Sequence, residues 1–162
     1  MKFNYPAFKA IYLHEMDRFR RTLMQSLLSP VLSTSLYFIV FGSVIGGYVE
    51  KIDGISYGSY IVPGLLMLTL LTQSITNTSF GIFFPKFNGT IYEILAAPIS
   101  TLEIVLAFVG AGATKTLVVG VVIFITANFF VEVDVKYPLL VVFLLILVAF
   151  TFALFGFLIG LM

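Results

Sequence analysis

Four apolar runs, 30–47, 57–84, 101–130 and 138–162, hold only two charged side chains, Glu103 at the edge of one run and Lys115 well inside it. A hydrocarbon layer is crossed by about 20 helical residues rising 1.5 Å each, so each run is long enough, the first just so. Backbone amides cannot be left open in hydrocarbon, which restricts a spanning chain to helices or closed barrels, and continuous apolar runs of this length are helical. The rest of the composition agrees: 60% of the 162 residues are hydrophobic and 10% charged, against ~45–50% and ~25% in soluble domains. The expected fold is an all-α integral membrane protein, one domain over 1–162, with four transmembrane helices.

The same composition excludes several functions. A net charge of +1 leaves no basic face large enough to track phosphates, so no nucleic-acid partner is expected. Without cysteine there is no thiolate nucleophile and no zinc–thiolate site. His14 is the single histidine, and no metal site is expected around it. No nucleophile–base pair lies at span depth, so no catalytic residue is assigned. The basic N-terminus is not a cleavable signal, because three further spans follow the first.

Residues 5–28 read as an amphipathic helix. Phe8, Tyr12, Met16, Phe19, Leu23 and Leu27 recur at steps of four and three as one apolar stripe, while Arg18, Arg20 and Arg21 occupy other faces. Such a helix lies in the membrane interface with its arginines toward lipid phosphates, or it packs on a partner or on the bundle itself. Ser29-Pro30 is expected to restart the chain as N-cap and first helical residue. Lys2, Lys9, Arg18, Arg20, Arg21 and Lys86 fall on one side of the spans and only Lys51 and Lys136 on the other. By the positive-inside rule the N-terminus is cytoplasmic.

Within the spans, Thr69, Thr72, Gln73, Thr76 and Asn77 share one helical face. Such a stripe either bonds neighbouring helices or lines a translocation route. Lys115 would lie about 22 Å along its helix, where an ionised lysine costs ~2.5–3.5 kcal/mol on insertion scales. No acid inside the spans matches it, so its partner is expected to be a carbonyl, a substrate phosphate or a helix outside this chain. Pro63-Gly64 is expected to kink or restart the second span.

The polar interruption FPKFNGTIYEILAAPISTLE, 84–103, holds two helix-start patterns. Thr90 with Glu93 and Ser100 with Glu103 both fit the capping box, and Pro98 separates them. A short helix over 90–97 and then a long one are expected, both starting at a membrane surface.

VFGSVIGG at 40–47, YIVPGLLML at 60–68, SFGIFFPKFNGTIYEILAAPIS at 79–100 and FVGAGATKTLVVG at 108–120 resemble the membrane-spanning permeases of ABC transporters, type 2 exporter class. The resemblance covers nearly the whole chain. It implies an amphipathic helix before the first span and a coupling helix between spans two and three, whose Thr90, Ile91, Tyr92, Glu93, Ile94 and Leu95 dock an ATP-binding-cassette ATPase. ATP and magnesium are then held by that partner, because this chain has no Walker A pattern and binds no cofactor itself. A second copy of the permease, as a homodimer, and the bilayer of a plasma (inner) membrane complete the expected partners. The family has six spans, so this chain is expected to be the N-terminal part of that unit. Where the family commonly has arginine then glycine, this chain has Lys115-Thr116. The resemblance implies an exporter subunit; a structural or assembly subunit without transport, or an intramembrane enzyme, remains the alternative.

Overall fold

The computed structural model describes residues 3–45, 51–52, 55–131 and 135–162. Six α-helices account for most of them: α1 (Tyr5–Arg21), α2 (Leu23–Tyr37), α3 (Tyr57–Phe87), α4 (Ile91–Ala96), α5 (Thr101–Phe130) and α6 (Pro138–Leu161). A π-helical stretch, Phe38–Ile45, prolongs α2. Four helices are long and apolar enough to cross a membrane: Leu23–Phe41, α3, α5 and α6. The all-α expectation is met apart from a two-residue antiparallel ladder, Lys51–Ile52 against Ile55–Ser56, in the connection before α3. The end of the first apolar run at 46–47, and the loop acids Glu50, Asp53, Glu132 and Asp134, lie outside the described residues.

Helix α5 is the central post, with α1, α2, α3 and α6 packed around it. Ala107, Ala111, Ala113, Val119, Ile123 and Ala127 are almost fully enclosed, because small side chains let neighbouring backbones approach where apolar solvent supplies no hydrophobic drive. The helix starts on the capping box read at Ser100–Glu103. The Ser100 side chain accepts from Glu103 N–H (3.4 Å), and the Glu103 carboxylate accepts from Ser100 N–H (2.8 Å).

The N-terminal boundaries differ from those read in the sequence. The helix expected over 5–28 ends at Arg21, and the next begins at Leu23 rather than at Pro30. Thr22 makes the break, with φ −105° and ψ 14°. Pro30 sits inside α2 because one buried row runs through it: Glu15, Phe19, Pro30, Thr34 and Phe38. Packing along that row outweighs the preference of proline for a first helical turn. Phe38 ends the row against Phe130, with ring centroids 5.9 Å apart. Pro63 likewise lies within a continuous α3.

The α3–α6 contact is the tightest. Gly156 and Gly160 of α6 face the α3 backbone so closely that an added Cβ would stand 2.5 Å from the Ile75 carbonyl oxygen and 2.6 Å from that of Ser79. Ser74 Oγ donates to the Ala149 carbonyl across the same seam (2.6 Å). Gly156→Leu should therefore destabilise the fold by about 1–3 kcal/mol or more through overpacking. Gly64, with open space around it, should accept alanine. Thermal midpoints in detergent, read by size-exclusion chromatography after heating, check both.

Candidate functional site

Helix α1 runs lengthwise on α5, both pointing the same way. At its start Asn4 N–H donates to the Glu103 carboxylate, Asn4 Nδ2 donates to the Pro98 carbonyl (3.1 Å), and Asn4 Oδ1 caps α1 by accepting from Ala7 N–H (3.3 Å). Two to three turns on, Tyr12 OH donates to Thr114 Oγ1 at 3.0 Å. One turn further, Lys115 Nζ donates to Glu15 Oε2 at 2.7 Å. Of the placements left open for this segment, the structure shows packing on the bundle.

Glu15 is the partner that sequence reading missed. Its side chain is 3% exposed and that of Lys115 4%. The same Oε2 accepts from Arg18 Nη2 at 2.9 Å. One carboxylate thus bridges two cations, one enclosed and one, Arg18, 34% exposed. Lys115 needs neither a substrate phosphate nor an absent helix. A signal existed in the sequence: Glu15 lies on the buried side of α1, one turn before Phe19, where an acid has no reason to sit without a buried cation. Gly81 of α3 lies against the group, where an added Cβ would make ordinary contact with Glu15 Oε2 at 3.5 Å. Arg20 and Arg21 are exposed.

The polar stripe of α3 turns away from its own core. Val62, Leu66, Leu70, Ser74 and Thr78 form the buried row, whereas Thr72 and Thr76 are exposed and Thr69, Gln73 and Asn77 half-buried. Much of the stripe is satisfied inside α3: Thr69 and Thr72 donate to the carbonyls four residues back (2.8 and 3.0 Å), and Asn77 Nδ2 donates to Gln73 Oε1 (3.4 Å). Thr69, Thr72 and Gln73 line a 270 Å³ groove against α2 with Ser29, Ser33 and Thr34. Thr76 lines a larger cavity of 710 Å³ with Arg18, Gln25 and Ser26. Lys115, expected with the stripe, is enclosed and held by Glu15 of α1, and it does not line either of the two cavities that the stripe lines.

Between α3 and α5, Gly89 (φ +79°) turns the chain in the left-handed conformation that glycine adopts freely. Thr90 is then already helical (φ −60°, ψ −21°) and its hydroxyl makes no cap bond, so the capping box read at Thr90–Glu93 is not formed. The helix read over 90–97 is the six-residue α4. It has two faces. Ile91 and Ile94 pack against the core cluster that includes Ile82, Ile104 and Phe108, while Glu93 is exposed and Tyr92 (73%) and Leu95 (62%) project outward.

A family model described as ABC-2 type transporter matches residues 6–162. The chain is 38% identical over 154 residues to the inner membrane transport permease YadH of Escherichia coli (strain K12), and equally to the protein of the same name in Shigella flexneri. The match takes in 95% of this chain and 60% of each relative, so the chain spans about three fifths of the length of these curated relatives. No solved structure matches it.

The buried pair has a measurable consequence. Removing Glu15 strands Lys115 in the interior, so Glu15→Met should cost about 3–5 kcal/mol, whereas Lys115→Met, which leaves Glu15 paired with Arg18, should cost less, and the double methionine variant should recover most of the Glu15→Met loss. Thermal midpoints of the three variants check this. Single variants as stable as the parent would show that the pair contributes nothing.

Proposed function

Because the chain belongs to the ABC-2 type transporter family, we propose that it forms part of the transmembrane subunit of an ATP-driven exporter in an inner membrane, docked through α4 to an ATP-binding-cassette ATPase. ATP and magnesium sit on that ATPase, and a second permease copy faces this one. The N-terminus and α4 lie on the cytoplasmic side, supported by the excess of lysine and arginine there. The polar stripe Thr69, Thr72, Gln73, Thr76 and Asn77 lines the route, supported by its position on the side of α3 turned from the core.

The observation that carries this reading is the division of α4. A six-residue helix wedged between two spans buries Ile91 and Ile94 on its own bundle and leaves Tyr92 and Leu95 outside. Aromatic and large apolar groups at the centre of a small contact carry most of a binding energy. The inner pair ties α4 to the core cluster that α3, α5 and α6 share, so a push on the outer pair passes into the bundle. Thr90 and Glu93 are peripheral to that contact.

Tyr92→Asp and Leu95→Asp should each lose the cognate ATPase in a detergent pull-down, at a cost of at least about 2 kcal/mol of binding, while Thr90→Ala should retain it. Ile94→Asp should act differently, by lowering the thermal midpoint of the permease alone. If both outward aspartate variants hold the ATPase as the parent does, α4 is a connector and not the docking element.

A further inference from the structure

Where α1, the start of α2 and the C-terminal half of α3 meet, they border an open cavity of 710 Å³ that Arg18 and Thr76 line, with Asn88 and Thr90 beyond the end of α3. Its charge is set by the Glu15–Lys115–Arg18 triad. Glu15 contributes one negative charge and Lys115 and Arg18 two positive ones, and the carboxylate's bond to enclosed Lys115 neutralises only that member. The surplus positive charge is expressed at Arg18, the member that reaches the cavity wall. Its contact with Glu15 engages one terminal nitrogen, and the guanidinium carries five N–H donors in all. Among the described residues lining the cavity none is acidic.

The remaining wall is of two kinds. His14, Gln25, Ser26 and Thr76 place ring, amide and hydroxyl groups around Arg18. Phe80 and Phe84 form its aromatic part, stacked with centroids 5.7 Å apart and about half exposed. A fixed cation ringed by neutral donors selects a phosphate-type anion, because guanidinium binds it with charge-assisted and bidentate hydrogen bonds. An aromatic wall directly beside it selects an apolar tail.

We propose that this cavity is a binding site for a phosphate-bearing amphiphile, its anionic headgroup held by Arg18 and its apolar part laid along Phe80 and Phe84. The proposal deepens the exporter reading by naming the class of molecule admitted from the cytoplasmic side. Glu15 is then a positioning residue: it aims the guanidinium while Lys115 cancels its charge.

The test is native mass spectrometry of the detergent-purified chain, without any ATPase, so that failure here and failure of ATPase docking are read separately. Three probes are titrated: dioctanoyl phosphatidic acid, dioctanoylglycerol with the same chains and no phosphate, and inorganic phosphate. Phosphatidic acid should bind saturably, and Arg18→Gln should weaken it about tenfold or more, the scale of a lost charged hydrogen bond, while Arg18→Lys retains part of the affinity. Dioctanoylglycerol should bind more weakly and show no dependence on residue 18. Gln25→Glu, which sets a negative charge on the exposed wall without touching the triad, should weaken phosphatidic acid alone and serves if Arg18→Gln does not fold. Equal binding of phosphatidic acid to parent, Arg18→Gln and Gln25→Glu would overturn the site. Inorganic phosphate binding as tightly as phosphatidic acid would overturn the amphiphile and leave a free-anion site.

Discussion

A lysine cannot remain ionised inside a bundle of apolar helices unless something nearby carries the opposite charge, and in this chain that charge comes from Glu15, one hundred residues away in sequence. The consequences run through the whole N-terminal half. Meeting Lys115 forces α1 to lie along α5 rather than across its end. The Tyr12–Thr114 and Asn4–Glu103 bonds then fall into register as two further points on one line. Because α2 follows α1 with a single break at Thr22, its buried row is aimed onward to Phe38 and Phe130. The α2–α3 groove is the space left beside that arrangement.

A second constraint governs the other side of the post. Helix α6 is apolar but for Thr151, whose hydroxyl donates to the Leu147 carbonyl of its own helix, so geometry specifies its contact. Gly156 and Gly160 admit the α3 backbone where no side chain would fit, and Ser74 closes the seam onto Ala149. The same device recurs between α3 and α5, where a Cβ on Gly112 would collide with Thr78. One side of the bundle is thus held by charge and the other by close approach of backbones, and α5 belongs to both.

Much of this was legible in the chain. The starts of α5 and α6 follow from Ser100–Glu103 and Pro138, which act through local chemistry, and the four spanning helices follow from unbroken apolar runs. Local patterns misled where long-range packing outweighed them. Ser29-Pro30 has the form of a helix start, yet Pro30 continues a buried row. Thr90–Glu93 has the form of a capping box, yet the Gly89 turn already makes Thr90 helical. The polar stripe of α3 was visible as a face, but only the packing of Val62, Leu66 and Leu70 shows which way that face turns. Glu15 lies outside the spans, and sequence spacing carries no information about which helix lies alongside Lys115.

The Glu15–Lys115 pair holds α1 lengthwise on α5. The chain has no cysteine of its own, so thiols introduced at Tyr12 and Thr114 report on that contact alone. With a short rigid bis-thiol reagent in native membranes, the pair should cross-link in high yield, and adding Lys115→Leu should reduce the yield severalfold. A control pair at Tyr12 and Thr126 should not react. Failure of the Tyr12–Thr114 pair to cross-link, or a yield indifferent to Lys115→Leu, would contradict the account.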